Sequence, residues 1–412
     1  MNYSPTPLLK GRGIKGEGLR MPQIKQSYRW VMLALLWLLY ASLGLVMGSM
    51  APLVTPIVKD LNMSYSQMGL ILGSWQLAFI VASIGAGNLL DQWGERKSLL
   101  AGILVVSLSA CLRYFSNGFG TLFPLVALTG VGGPTISGGG PKVISLWFEG
   151  KRRGTALGIY MTGASIGALL GFALTNSVVM PLVDYSWRIT FLIYGIFAFA
   201  TGLLWWFLSK DVKSAATTKR MSIFKTLNQI VRIRNVQLVL ILGLLALASY
   251  HGVMNWLPKI LETGGMSPAL AGFAASAYII AGIPATIFFP HMIPLRFRGH
   301  LLALSALVVA IALCGVMYTS GMFQFIALLI LGFAGGAFMP ILLLILMDSS
   351  GIPSEYLGSA NGVFLCIAQI GGFLAPFVMG ALFDMTEDFL AGMLLLAALN
   401  LVIIPITFRL RI

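Results

Sequence analysis

The chain has 412 residues, of which 58% are hydrophobic and only 10% charged, with a mean hydropathy of +0.90. A water-soluble protein of this size carries about a quarter of its residues charged, so this composition excludes an ordinary soluble enzyme and points to a bilayer as solvent. The three cysteines, Cys111, Cys314 and Cys366, all lie in apolar runs, which excludes an extracellular disulfide frame; no Cys/His spacing implies a metal or cofactor.

Backbone amides in hydrocarbon must bond internally, so only helices or closed barrels span a membrane. Barrel strands would alternate in segments of roughly ten residues. The apolar runs here are unbroken over roughly twenty, the length of a membrane-crossing helix. After a polar, basic segment (1–29), read as a cytoplasmic tail without a cleavage pattern, twelve spans are predicted. They lie near 30–53, 66–90, 98–116, 120–148, 155–181, 188–208, 237–258, 268–294, 301–319, 323–347, 356–381 and 389–408. The long connection, 209–236, divides them into bundles at 30–208 and 237–412. Within it Ser222 is placed to cap a short interfacial helix presenting Ile223, Leu227, Ile230 and Val231 on one face.

Of the 27 Lys and Arg, 22 fall in the tails and in alternate loops on one side; Lys59, Arg188 and Lys259 fall on the other. The positive-inside rule therefore expects both termini in the cytoplasm, in a multi-pass protein of a bacterial inner membrane. Charge spread over one membrane face accounts for the net +14 through topology and lipid headgroups, without nucleic acid.

The halves repeat at an offset of 202–204 residues. Met63-Ser64 and Gly69 recur as Met266-Ser267 and Gly272, and Gly130 recurs as Gly332. Gly154-Thr155-Ala156-x-Gly158 recurs as Gly358-Ser359-Ala360-x-Gly362, and Ile166-Gly167 as Ile370-Gly371. The fold class expected is an all-α membrane protein with twelve transmembrane helices in two pseudo-symmetric six-helix bundles. Two such bundles can rock about a shared midplane site, the arrangement of a secondary transporter or permease, whereas an enzyme has no need of it. No Ser/His/Asp set or carboxylate pair is visible, and no enzyme is expected.

Between the second and third spans, Gly87-Asn88-Leu89-Leu90-Asp91-Gln92-Trp93-Gly94-Glu95-Arg96-Lys97 is similar to the G-x-L-x-D-x-x-G-x-R-K loop signature of the major facilitator superfamily. Gly87 suits close helix packing, and Asp91 sets an anion near a helix N-terminus with Arg96 as its expected partner. The resemblance implies the major facilitator fold and a gating role for Gly87, Asp91, Gly94 and Arg96, latching the bundles on the cytoplasmic side. Other signatures of the superfamily are broken: Val126 stands where an arginine is expected, and Gly163-Ala164 where a drug/proton antiporter has Gly-Pro.

Ser66-Gln67-Met68-Gly69, the stretch from Pro141 to Phe148, and Asn255-Trp256-Leu257-Pro258 with Ser267-Pro268 look like the cyanate-permease group. Leu89-Leu90-Asp91, Pro141 to Phe148 and Ala368-Gln369-Ile370 resemble the feline-leukaemia-virus-receptor-like (choline and haem-associated) carriers. These resemblances imply either a small anion or organic metabolite, or a neutral or cationic amine such as choline.

Polar groups in hydrocarbon are costly and mark candidate sites. Gln369, with Ser165 at its repeat position, either binds solute or makes an interhelical hydrogen bond; the position resembles the cavity glutamine of the choline carriers. His251, with Tyr250 and Asn255, either binds solute and carries a coupling proton or is a neutral packed histidine. Gln76, Tyr40, Tyr160 and Tyr278 are further candidates for the wall. Lys142 either attracts an anion or snorkels, and Arg113, near the outer end of its span, reads first as a snorkelling anchor. A sensor built on a carrier scaffold is the alternative class, and a monomer is expected.

Overall fold

The computed structural model describes residues 23–210, 231–349 and 357–410. The interfacial helix expected at Ser222 lies outside the described residues. Among them, twelve helices are long and apolar enough to cross a membrane. In chain order they are α1 (Ser27–Asp60), α2 (Tyr65–Gln92), α3 (Gly94–Phe115), α4 (Phe119–Trp147), α5 (Lys151–Leu182) and α6 (Trp187–Leu208). The second six are α7 (Arg234–Thr263), α8 (Pro268–Phe289), α9 (Leu295–Tyr318), α10 (Gly321–Met347), α11 (Ala360–Thr386) and α12 (Leu390–Thr407). An even number of spans puts Gln23 and Leu410 on one side, here the terminal face; the other is the distal face.

Residues such as Val81, Ile311, Phe207, Met322 and Phe323 stay exposed because lipid, rather than a protein neighbour, is their solvent. Local chemistry sets several ends. Ser64 and Gln67 form a reciprocal capping box at the start of α2, and Ser267, its repeat partner, caps α8 through the Leu270 amide. Gly94 turns the chain between α2 and α3 at φ +77°, a conformation that costs glycine little. Helix α7 runs through Pro258 to Thr263, five residues beyond the predicted end, because packing tolerates the lost amide bond. A break at Gly336–Ala337 interrupts α10.

The repeat appears as three pairs of helix crossings. Gly130 meets the Trp75 carbonyl where α4 crosses α2, and Gly332 meets the Tyr278 carbonyl where α10 crosses α8. Gly167 lies against Ala41 between α5 and α1, as Gly371 lies against Leu244 between α11 and α7. The third pair joins the bundles: Gly69 of α2 abuts Pro376 of α11, and Gly272 of α8 abuts Phe172 of α5. A methyl group at any of these positions would sit inside van der Waals contact of a backbone oxygen.

All the strong contacts between bundles lie towards the distal face. The Asp384 carboxylate, at the last turn of α11, accepts from the Tyr65 amide at 2.8 Å and the Ser66 amide at 2.7 Å, and also from the Ser66 hydroxyl. It thus satisfies orphan first-turn donors of α2 and complements that helix's dipole. Thr55 donates to Glu262 at 2.5 Å, and the Asn176 amide to the Pro52 carbonyl at 3.0 Å and the Pro268 carbonyl at 3.4 Å. Asp384→Asn is expected to preserve the fold while shifting the equilibrium about fivefold away from this form, since an exposed anion–dipole contact is worth ~1 kcal/mol. Labelling of Cys366, which faces the cavity described next, with an impermeant maleimide reads the shift.

Candidate functional site: a cavity between the bundles

A cavity of about 720 Å³ lies between the two bundles. Its wall reaches Leu90, Pro141, Leu343, Asn361 and Gly362, all near the terminal face, and ends at Trp75, His251 and Asn255 beneath the distal seal. The volume falls within the range of pockets that enclose a small organic ligand, ~300–1,000 Å³. Among the described residues, no Asp, Glu, Lys or Arg is on this wall.

Six of the candidates share it: Tyr40, Ser165, Tyr250, His251, Asn255 and Gln369. They come from α1, α5, α7 and α11, so folding brings together side chains more than 300 positions apart in sequence. The His251 ring stands edge-to-face on Trp75, centroids 5.5 Å apart, and on Tyr250 at 5.0 Å. Asn255 donates back to the His251 carbonyl at 2.9 Å, leaving its own oxygen for another donor.

The polar centre is organised by Gly372. A Cβ there would meet His251 Cδ2 at 2.7 Å, Gln369 Oε1 at 3.2 Å and Gln76 Cγ at 3.4 Å. Gln76 donates to the Gly372 carbonyl across the bundle interface at 3.2 Å, which fixes its amide orientation and leaves Oε1 buried without a donor. The buried oxygens Gln369 Oε1 and Asn361 Oδ1 likewise have no hydrogen-bond donor. Buried acceptors of this kind are costly unless something donates to them.

Five candidates lie elsewhere. Gln76 is buried in the distal seal rather than on the wall. Tyr160 is fully buried, stacked on Tyr40 at 4.6 Å with its hydroxyl donating to the Ile136 carbonyl at 2.7 Å. It fills the space left by Gly140 and supports Tyr40 from behind. Tyr160→Phe should therefore lower stability by about 1 kcal/mol, seen in the thermal midpoint, and leave uptake within twofold. Tyr278 packs under Gly332 at the α8–α10 crossing. Lys142 is not on the cavity wall: it pairs with Asp91 at 2.8 Å and Glu95 at 3.0 Å. Arg113, expected as a surface anchor, is 1% exposed and points into the first bundle.

At the loop signature Lys142 pairs with Asp91. Arg96 donates to the Trp206 carbonyl, and its guanidinium lies 4.7 Å from the Trp206 ring. Gly87 is buried and lines the cavity. With the terminal side of the cavity open, these described contacts fall within the first six spans.

Sequence reasoning missed Trp75, Phe79, Asn361 and Gly372. Asn361 had a readable signal, a lone amide in the repeated glycine-rich stretch of α11; Gly372 had none, because its importance is a convergence of His251 and Gln76, from two other helices, with the nearby Gln369.

A sequence profile described as the Major Facilitator Superfamily matches residues 36–376. The chain is 24% identical over 401 residues to a hexuronate transporter of Escherichia coli (strain K12), covering 88% of this chain and 89% of that one. It is 23% identical over 362 residues to a D-galactonate transporter of Escherichia coli O6:H1, covering 79% and 82%. The fold is also similar to a crystal structure of a bacterial homologue of the human lysosomal transporter Spinster in an inward-facing, occupied conformation. That match has a TM-score of 0.72 and 14% identity over 93% of this chain and 97% of the other. Twelve spans in two glycine-matched halves, a cavity between them and a profile match over most of the sequence agree: the chain belongs to the Major Facilitator Superfamily, and is a multi-pass membrane transporter.

Proposed function

We propose that the protein is a secondary transporter of small polyhydroxylated organic acids, working by alternating access and held here in the form open to the terminal face. The observation that carries this reading is the cavity wall: uncharged, and furnished with buried acceptors on Gln369 and Asn361 that match substrate hydroxyls. Transporters of hexuronate and D-galactonate among its relatives support the same chemistry. Tyr40, Ser165, Tyr250, His251, Asn255 and Gln369 bind the solute, and His251 is the group available to carry a coupled proton. The basic loops make the terminal face cytoplasmic in a bacterial inner membrane, so that the form described is inward-facing.

The subgroup likenesses to cyanate and choline carriers carry less weight beside these relatives. The rings of Tyr40, Trp75, Phe79 and Tyr250 on the wall could face a cationic amine, but among the described residues the wall offers no carboxylate to pair with one. Gly87, Asp91, Gly94 and Arg96, now joined by Lys142, form the latch that engages when the terminal side closes. The protein acts as a monomer.

The test is uptake by purified protein in liposomes, with D-galactonate and D-glucuronate as probes and choline as the contrasting amine. Saturable uptake of either acid, stimulated by an inward proton gradient, is the expected result. Binding without turnover would instead identify a sensor, and uptake of choline alone would overturn the acid assignment.

A further inference from the structure

Arg113 is a buried charged side chain that lies off the wall of the main cavity. It is 1% exposed, in the distal part of α3, and among the described residues no acid lies within ion-pair distance. Its Nη2 donates to Thr129 Oγ1 at 2.7 Å and Ser109 Oγ at 3.2 Å, and the guanidinium lies 4.7 Å from the Phe191 ring. Nε and Nη1 have no partner. A guanidinium keeps its proton, so this is a buried cation compensated by two hydroxyls and a ring, with the Nε and Nη1 donors unused. These two donors lie on different sides of the guanidinium, and either can give a charge-assisted hydrogen bond to a carboxylate oxygen.

Arg113 lines a void of about 10 Å³ together with Met47, Met50, Leu72, Trp75, Val126, Thr129 and Asn255. The void is too small for a carboxylate. Met47, Trp75, Thr129 and Asn255 also line the main cavity, so the void is a distal continuation of it, pinched off by those side chains. Only Asn255 belongs to the second bundle. Separation of the bundles at the distal face would withdraw Asn255 and widen the void, while Arg113, held by α4 and α6, would stay with the first bundle.

We propose that Arg113 is the charge-reading residue of the transporter: an unpaired donor of its guanidinium takes the carboxylate of an organic acid entering from the distal face. The inference rests on the organic-acid reading above and assigns where the acid group is recognised. In the form described, the site is collapsed and the carboxylate released, so that a substrate admitted at the distal face leaves through the terminal one. A polyhydroxylated tail then lies towards Gln369 and His251, below the anion site.

The experiment compares native protein with Arg113→Gln and Arg113→Lys in liposomes, using D-galactonate and D-glucuronate. KM and maximal rate are measured alongside the thermal midpoint and gel-filtration profile. Arg113→Gln is expected to raise KM for both acids roughly ten- to hundredfold, the range for losing a charge-assisted hydrogen-bonded pair. Arg113→Lys, which keeps the charge but concentrates it on a compact ammonium at the end of a flexible stem, should recover part of that loss and remain about tenfold above native. A structural role would instead lower maximal rate and thermal midpoint together and leave KM unchanged. A well-folded Arg113→Gln with KM within twofold of native overturns the proposal. Should Arg113→Gln fail to fold, Arg113→Lys decides: KM within twofold of native again overturns it. If native protein takes up neither acid, the proposed function falls and this inference with it; uptake by native protein with an indifferent variant removes the inference alone.

Discussion

Gly69→Val is expected to abolish uptake while leaving the fold intact, whereas Gly167→Val should prevent stable folding. The two changes are chemically identical, and both place carbon against a backbone oxygen of a neighbouring helix. They differ in what that helix belongs to. Gly167 crosses α1 within the first bundle, and the rocking motion proposed above keeps those two helices together. Overpacking there costs ~1–3 kcal/mol or more, with no state to escape into. Gly69 crosses α11 of the second bundle, and the crossing exists only while the distal side is closed. The same penalty applied to one state alone displaces the equilibrium about ten- to hundredfold, since each ~1.4 kcal/mol is a factor of ten. Maleimide labelling of Cys366 from the terminal face, with Cys111 and Cys314 replaced by serine, should fall in Gly69→Val. Gly167→Val should show loss of monodisperse protein in detergent. Equal behaviour of the two variants would mean that the halves do not move as separate bodies.

Gly372→Ala should cost more than tenfold in apparent affinity for a transported acid, while Gly362→Ala, on the same helix and the same cavity wall, should be close to neutral. A methyl group at Gly362 has nothing within 4 Å. At Gly372 it would lie 2.7 Å from His251 Cδ2 and 3.2 Å from Gln369 Oε1, forcing both away from the geometry in which they converge. Misplacing a binding group by about an ångström is enough to lose most of its contribution. Direct binding by isothermal titration, with thermal midpoints as control, separates the pair. Matching affinities for the two variants would show that the His251–Gln369–Gln76 convergence takes no part in recognition.

Parts of the site were readable before any coordinates. His251, Asn255 and Gln369 stood out because hydrocarbon makes an isolated polar group expensive, and that rule holds whatever the helix arrangement. The glycine repeat was equally readable, and its pairs Gly69/Gly272, Gly130/Gly332 and Gly167/Gly371 are the crossings of the folded molecule. Tyr160 and Tyr278 were indistinguishable from Tyr40 in sequence. All three are tyrosines in apolar helices, and which one meets the cavity depends on helix rotation about its own axis. Lys142 illustrates the same limit for charge. Its acid partners, Asp91 and Glu95, lie some fifty residues away on the α2–α3 connection, and only the α2–α4 contact brings them within 3.0 Å.

Composition, run length and the distribution of Lys and Arg determined by themselves that this chain is a helical membrane protein of twelve spans in two related halves. Those properties follow from the cost of exposing backbone and charge to lipid, which is paid residue by residue and leaves a linear record. Only the tertiary structure decided that Arg113 points inward rather than to the interface, that Gln76 seals rather than lines, and that Gly372 is the meeting point of three helices. Each of those is set by how helices rotate and cross, and crossing is governed by side-chain volumes on two elements at once, which no single segment of sequence contains.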